Sequence, residues 1–336
     1  MNKSYASNFA LETGNDNFIF ITPHSLDHKF IDRPDDIIEK CHIYCVVDYP
    51  RITFVPDSII YENLNNEIIY RVLLEYRHNG EMKRVAIEDR VPHSGNISKV
   101  IIDKYPHTEI ILLDSNDNFV MSTTALKLAY AASIPDLTNL NVLYIGKGTG
   151  IKKQKNALDR VQEHKTIQKI LAFHHARHPD RSVLIGLFNF GAVNKYAFID
   201  GMDHSKIFGL DDFTRLMHAQ QFQLSLNQKT AIIEAALIRY FEPEYNDKLK
   251  KDLPAKNSKA LADCYKYDIS AIVVKLWTSD ENSPYLNYYL YSHKVESSEK
   301  HNICIELIDP EVRKGFFSMG GYNYAPEGTI RRNKRK

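Results

Sequence analysis

Residues 231–238 carry seven apolar side chains and a single carboxylate, Glu234. At 3.6 residues per turn Ile232, Ile233, Ala236, Leu237 and Tyr240 form one helical face, while Ala231, Ala235 and Ile238 make the other side apolar too. A helix greasy on both sides is a buried helix, and a lone buried carboxylate costs several kcal/mol unless it is paired or bound to a cation. Two readings of Glu234 follow. One is an ion pair with Arg160 or Arg239 that carries no chemistry. The other is a ligand for a hard divalent cation, Mg²⁺ or Mn²⁺, which needs only one or two carboxylates beside water and phosphate oxygens.

At 336 residues the chain is long enough for two or three cores. No run of about 18 apolar residues is present, so no membrane partner is expected, and scattered Asn, Asp and Glu in the first thirty residues do not fit a signal peptide. Cys41, Cys45, Cys264 and Cys304 suit a reducing cytoplasm better than a disulfide scaffold. Cys41-His42-x2-Cys45 lacks a second ligand pair, which argues against structural zinc. The net charge of +1 conceals a polarity along the chain. Residues 1–120 hold 12 Lys and Arg against 19 Asp and Glu, whereas residues 121–260 hold 20 against 13. A basic middle behind an acidic front fits a polyanion touching only the middle.

Pattern divides the chain into three. Residues 1–124 are expected to form an acidic β-rich domain after an irregular lead-in over 1–40. Its clearest unit is the hairpin Glu67–His78, Asn79-Gly80, Glu81–Asp89, with apolar residues at period 2 and a turn dipeptide that tolerates positive φ. Residues 125–260 mix strand and helix. Strands are expected at Leu126–Ile134, Asn141–Ile145, Val183–Phe190 and Lys195–Ile199, the first two as a hairpin, and helices at Asn156–His175, Asp211–Leu224 and Gln228–Phe241. Lys248–Lys259 reads as a linker, and residues 261–336 as a small β unit ending in a basic tail.

The chemistry-bearing residues cluster in the middle third. Asn141-Val142-Leu143-Tyr144-Ile145-Gly146-Lys147-Gly148 is an apolar strand ending in two glycines around a lysine. Arg160 and His164, four apart, share a helical face, and Arg grips phosphate through two N–H groups. Tyr130 and Tyr144 are expected on adjacent antiparallel strands, where a tyrosine could shuttle a proton from water. Lys152, Lys153, Lys155, Lys165 and Lys169 would supply salt-sensitive attraction to a nucleic-acid backbone. His174, His175 and His178 read as a solvated or DNA-facing helix end.

Tyr144-Ile145-Gly146, Gly146-Lys147-Gly148, Arg160…His164, Glu234 in an apolar helix and Pro243…Asn246 together resemble the GIY-YIG nucleases, over about residues 125–250. The first motif here is Leu128-Ala129-Tyr130 rather than Gly-Ile-Tyr. The resemblance implies an α+β fold: a small three-stranded antiparallel sheet flanked by helices, preceded by the β-rich N-terminal domain and followed by the C-terminal β unit. It implies Tyr130 and Tyr144 as the paired tyrosines, Arg160 and Lys147 on the phosphate, Glu234 on Mg²⁺ or Mn²⁺, and Asn246 fixing the site by hydrogen bonds. The expected activity is a metal-dependent endonuclease acting on DNA, in a restriction or antiviral-defence setting, with the N-terminal domain serving a regulatory protein or self-association. A nucleic-acid-binding or scaffold protein with a degenerate nuclease fold, and an RNA-cleaving nuclease, are the alternatives.

Overall fold

The computed structural model describes residues 5–26, 35–64, 66–93, 96–148, 156–200, 208–247, 250, 258, 261–279, 287–308, 314–318 and 328–331. In chain order the elements begin with β1 (Ser7–Ile21), α1 (Asp35–Glu39), β2 (Ile43–Pro50), β3 (Ile52–Phe54), β4 (Ile60–Asn63), β5 (Glu67–His78), β6 (Glu81–Pro92), β7 (Lys99–Ile102), β8 (Glu109–Leu113) and β9 (Phe119–Thr124). There follow α2 (Ala125–Ala131), α3 (Pro135–Thr138), β10 (Asn139–Lys147), α4 (Ala157–Glu163), α5 (Lys165–Arg177), β11 (Arg181–Phe190) and β12 (Asn194–Ile199). The last are α6 (Leu210–Gln221), α7 (Leu226–Phe241), α8 (Ala262–Lys266), β13 (Ala271–Trp277), β14 (Tyr289–Tyr291) and β15 (Lys300–Glu306). The fold is mixed α+β and rich in sheet.

An eight-stranded sheet organises the molecule, in the order β14-β10-β2-β11-β1-β13-β15, with β12 also on β1. It draws strands from all three expected domains. The acidic front contributes β1 and β2, and the C-terminal stretch contributes β13, β14 and β15, so neither boundary, at 124 or at 260, separates this sheet. The expected irregular lead-in contains β1, a 15-residue strand whose register shifts between Asn15 and Asn17. Its Asn- and Asp-rich centre hid the period-2 signal on both sides.

Residues 51–138 interrupt the sheet between β2 and β10. They form a four-stranded sheet around β5 and a three-stranded sheet β7-β8-β9, followed by α2 and α3. The expected β5–β6 hairpin is present in full register, with Asn79 and Gly80 at φ of 51° and 82°. The expected strand over Leu126–Ile134 is instead helix α2. Ala and Leu dominate it, both strong helix formers, and the Thr124 side chain accepts a hydrogen bond from the Lys127 N–H to cap its start. The antiparallel partner of β10 is therefore β2.

Two apolar layers cover the sheet. One contains Tyr44, Val46, Leu143, Ile185 and Leu187 with Leu158 and Val161 of α4 and Ile167 and Ile170 of α5. The other contains Ile43, Cys45, Ile145, Ile272 and Val274 with Ile232, Ile233, Ala236 and Leu237 of α7. As the sequence pattern requires, α7 is buried along most of its length.

A buried polar knot ties the first layer down. Asp48, 3% exposed, accepts from His174 Nε2 at 2.9 Å and from Arg181 Nε at 2.7 Å and a terminal guanidinium nitrogen at 3.0 Å. His174 is thus a core residue, not part of a solvated helix end. Burial pushes the Asp48 carboxyl up, but hydrogen bonds from His174 and Arg181 outweigh it and hold the group below its ordinary range. Removing the carboxylate in Asp48→Ala strands a buried imidazole and a part-buried guanidinium, and urea melts at neutral pH should show a loss of about 3 kcal/mol. Because the folded pKa lies below the unfolded value of about 3.9, this contribution is complete above that value and is lost as pH falls through the folded one. Asp48→Asn should therefore flatten the acid limb of the stability profile.

Candidate active site

The pairing of β2 with β10 sets Tyr44 opposite Gly146 and Ile43 opposite Lys147. The Tyr44 ring, 1% exposed, lies directly over Gly146. A Cβ at Gly146 would stand 2.4 Å from the Tyr44 hydroxyl oxygen, so only glycine fits here. Gly148 has a similar reason: a Cβ there would meet the Asn156 carbonyl at 2.5 Å. The close approach lets the start of α4 dock against the strand ends. Gly148 N–H donates to the His42 carbonyl at 2.8 Å and Ala157 N–H to the Cys41 carbonyl at 2.7 Å. The Asn156 side chain caps α4 by accepting from Asp159 N–H.

Tyr44, Tyr144 and His164 form a ring cluster. Their centroids lie 6.2 Å apart for Tyr44 and Tyr144, 5.9 Å for Tyr144 and His164, and 6.5 Å for Tyr44 and His164. The expected single helix over 156–175 breaks at His164, which sits in extended backbone between α4 and α5. The break turns its ring toward the tyrosines, and its Nδ1 is buried without a hydrogen-bond partner among the described residues. Burial, then the charge of Arg160, lowers the His164 pKa, so the ring is neutral at neutral pH.

The tyrosines are inequivalent. Burial raises both, followed for Tyr44 by its neighbour Tyr144 and for Tyr144 by the charge of Glu234. Hydrogen bonding between the two phenols raises Tyr44 further and lowers Tyr144, and Arg160 lowers both. Tyr144 is the hydroxyl whose ionised form is better supported.

Glu234 reaches the same place from α7. Its side chain is 17% exposed, and Lys147 Nζ lies 3.4 Å from its carboxylate. Arg239, the other candidate partner, is engaged with Glu242 at 2.7 Å. Burial raises the Glu234 pKa against the lowering effects of Lys147 and Arg160. Arg160 itself is exposed at the mouth of the cluster, and its charge acts on Tyr44, Tyr144, His164 and Glu234 alike. Among the described residues no group of three or more His, Cys, Asp or Glu is arranged to hold a metal. Glu234 is a single carboxylate already paired with Lys147, the number of acids that a hard cation completing its shell with water and phosphate requires.

Asn246 acts on the backbone. Its side-chain oxygen accepts from Ile145 N–H at 2.9 Å and its amide donates to the Ile145 carbonyl at 2.9 Å. With Tyr245 N–H donating to the Leu143 carbonyl at 3.0 Å, the segment after α7 is stitched to β10. This coupling carries α7, and Glu234 on it, into register with Tyr144.

Tyr130 is not part of the cluster. It lies on α2 in the other apolar layer, its ring 4.5 Å from that of Tyr288, and its raised pKa comes from burial and then Tyr288 and Tyr49. The tyrosine beside Tyr144 is Tyr44, within His42-Ile43-Tyr44. The Ile43-Tyr44 pair opening an apolar strand is the available signal, obscured because its pairing partner lies about a hundred residues away. Lys165 and Lys169 are exposed on α5, while Lys152, Lys153 and Lys155 lie outside the described residues. A cleft of about 490 Å³ lined in part by Pro50, His78, Asp136 and Arg181 includes none of the cluster.

Gly146→Ala is expected to destabilise the protein by about 1–3 kcal/mol through overpacking against Tyr44. The cost should shrink when Tyr44→Ala is combined with it, and a double-mutant cycle on thermal melts measures the coupling. The chain matches no protein-family model, no curated protein and no solved structure.

Proposed function

We propose that the protein is a metal-dependent endonuclease of the GIY-YIG type that hydrolyses phosphodiester bonds in DNA. The observation that supports this most is the convergence of Tyr44, Tyr144, Lys147, Arg160, His164 and Glu234 at one strand end, from elements far apart in sequence. The three antiparallel neighbours β10, β2 and β11, with helices on both faces, are compatible with that family's small sheet. Tyr44, in place of Tyr130, takes the position of the first-motif tyrosine.

In this reading Arg160 binds the scissile phosphate from the open side and offsets its growing charge. Lys147, held between two glycines, adds a second positive charge next to Glu234. Glu234 would hold Mg²⁺ or Mn²⁺, which when bound polarises a phosphoryl oxygen and offsets transition-state charge. Tyr144 orients the attacking water, its oxygen directed by the Tyr44 hydroxyl. In its ionised form, which the Arg160 charge favours, Tyr144 would take a proton from that water and return to the neutral phenol, with the His164 ring packed against it. Asn246 is a positioning residue, acting through the Ile145 backbone. Exposed Lys165 and Lys169 supply backbone attraction that weakens with salt.

Plasmid nicking with Mg²⁺ tests this. Glu234→Gln and Arg160→Ala should each lower the rate by about 100-fold or more, and Tyr44→Phe should lower it as well. Tyr130→Phe should leave it unchanged. Burial raises the Glu234 pKa, so its carboxylate is lost on acidification sooner than an ordinary glutamate. The acid limb of the rate profile should accordingly lie above the usual value of about 4.3. Cutting that survives both Glu234→Gln and Arg160→Ala would remove the assignment, and a matched RNA substrate distinguishes a DNA from an RNA enzyme.

A further inference from the structure

The face of the sheet that carries Tyr44 continues beyond the cluster. Side chains alternate along each strand, so residues in step with the α4–α5 layer share one face. On β2 that set includes Tyr44, on β11 it includes Ile185 and Leu187, and on β1 it includes Ile19 and Ile21. Two residues further along toward the same sheet end, β11 places Asn189 and β1 places Asn17 on this face, directly paired. On β13 the core positions Ile272, Val274 and Leu276 face the α7 layer, which leaves Trp277 on the face of Tyr44.

The levels match as well as the faces. Ile43 pairs with Phe188, Phe188 with Phe18, and Gly14 with Lys275. Asn189 and Asn17 are paired, and Trp277 lies two residues beyond Lys275, the partner of Gly14, so these three residues lie toward the same end of β11, β1 and β13. Three strand spacings separate β2 from β13, roughly 14 Å. Trp277 is 41% exposed at the far end. Its backbone is held in place: Asn15 accepts from Trp277 N–H at 2.7 Å and donates to the Trp277 carbonyl at 2.9 Å. Lys300, its register partner on β15, has a side chain 55% exposed, with its ammonium 3.9 Å from the Glu299 carboxylate. A strand end fixed by a side-chain amide, yet presenting a large aromatic surface to solvent, is suited to stacking on a flat ligand.

Resting on the nuclease reading, we propose that nucleotides flanking the scissile phosphate cross the sheet end along Asn189 and Asn17, and that an unpaired base stacks on Trp277. From Leu187, the register partner of Tyr44, the path runs two residues on to amides that can bond sugar or base edges, and ends in an aromatic platform beside a cation. A base held within an intact duplex offers no free face to the indole. The substrate class is thus nucleic acid with unpaired nucleotides beside the cut, such as a single strand, a flap or a frayed end.

Trp277 is the one tryptophan of the chain, so its emission reports the site directly. Full-length Glu234→Gln protein, which retains substrate without cutting it, is titrated with a short fluorescein-labelled thymidine oligonucleotide at low salt. Anisotropy follows binding, and an unlabelled oligonucleotide follows tryptophan emission. The proposal expects emission to fall by about half at saturation. In the same background Trp277→Phe should bind within about threefold, and Trp277→Ala about tenfold more weakly, with unchanged melting temperatures. Binding with unaltered emission and full affinity in Trp277→Ala overturns the track and leaves the nuclease reading standing. Absence of binding to this strand and to a duplex control removes both. Equal binding and cutting of blunt duplex and flapped substrates by the corresponding Glu234-containing proteins also overturns the preference.

Discussion

The antiparallel register between β2 and β10 is the constraint on which the candidate site depends. It places the Tyr44 phenol on Gly146, sets Lys147 opposite Ile43, and brings the Cys41 and His42 carbonyls to the start of α4. A slip by one residue would turn Tyr44 and Tyr144 to opposite faces. The pairing closes across residues 51–138, which fold into sheets of their own. Closure entropy grows only slowly with length, about 0.6 kcal/mol per doubling, so a large insertion between paired strands costs little once each strand has a buried face.

A second device recurs where main-chain pairing runs out. Asn246 brackets Ile145 and Asn15 brackets Trp277, each through a donor and an acceptor on one side-chain amide. Each satisfies two backbone groups as an added strand would, without needing one. The first bracket locks the segment after α7 to the strand carrying Tyr144, so the position of Glu234 is tied to that of the tyrosine. The electrostatics then follow from burial. Desolvation raises Glu234, Tyr44 and Tyr144 and lowers His164, while the exposed Arg160 acts on all four.

Much of the fold was legible wherever local pattern and tertiary environment agree. The β5–β6 hairpin followed from alternation and Asn-Gly, and α7 from apolar residues at helical spacing on both its sides. The sequence singled out Tyr144, Lys147, Arg160 and Glu234, which the fold brings near one another, while the hydrogen bonds of Asn246 were expected only from the family resemblance. Tyr44 was not, because its partner strand lies beyond the insertion and short-range pattern carries no pairing information. Leu128-Ala129-Tyr130 attracted attention by its nearness to Tyr144, yet its Ala- and Leu-rich composition favours helix over strand. A related reason applies to His174: a histidine at a helix end reads as solvated unless its acid, Asp48 on a distant strand, is known to sit beside it.

Alone, the sequence determined the element types with strong periodicity, the burial of α7, and the presence of a single carboxylate that burial would make costly. Those properties are local, set by side-chain spacing and by the price of desolvation. The tertiary structure decided which tyrosine faces Tyr144, that the front and back of the chain share one sheet with the middle, and that Lys147 rather than an arginine pairs with Glu234. Each of these depends on contacts between residues distant in sequence, where register and the room left by Gly146 and Gly148 select one partner among many chemically equal ones.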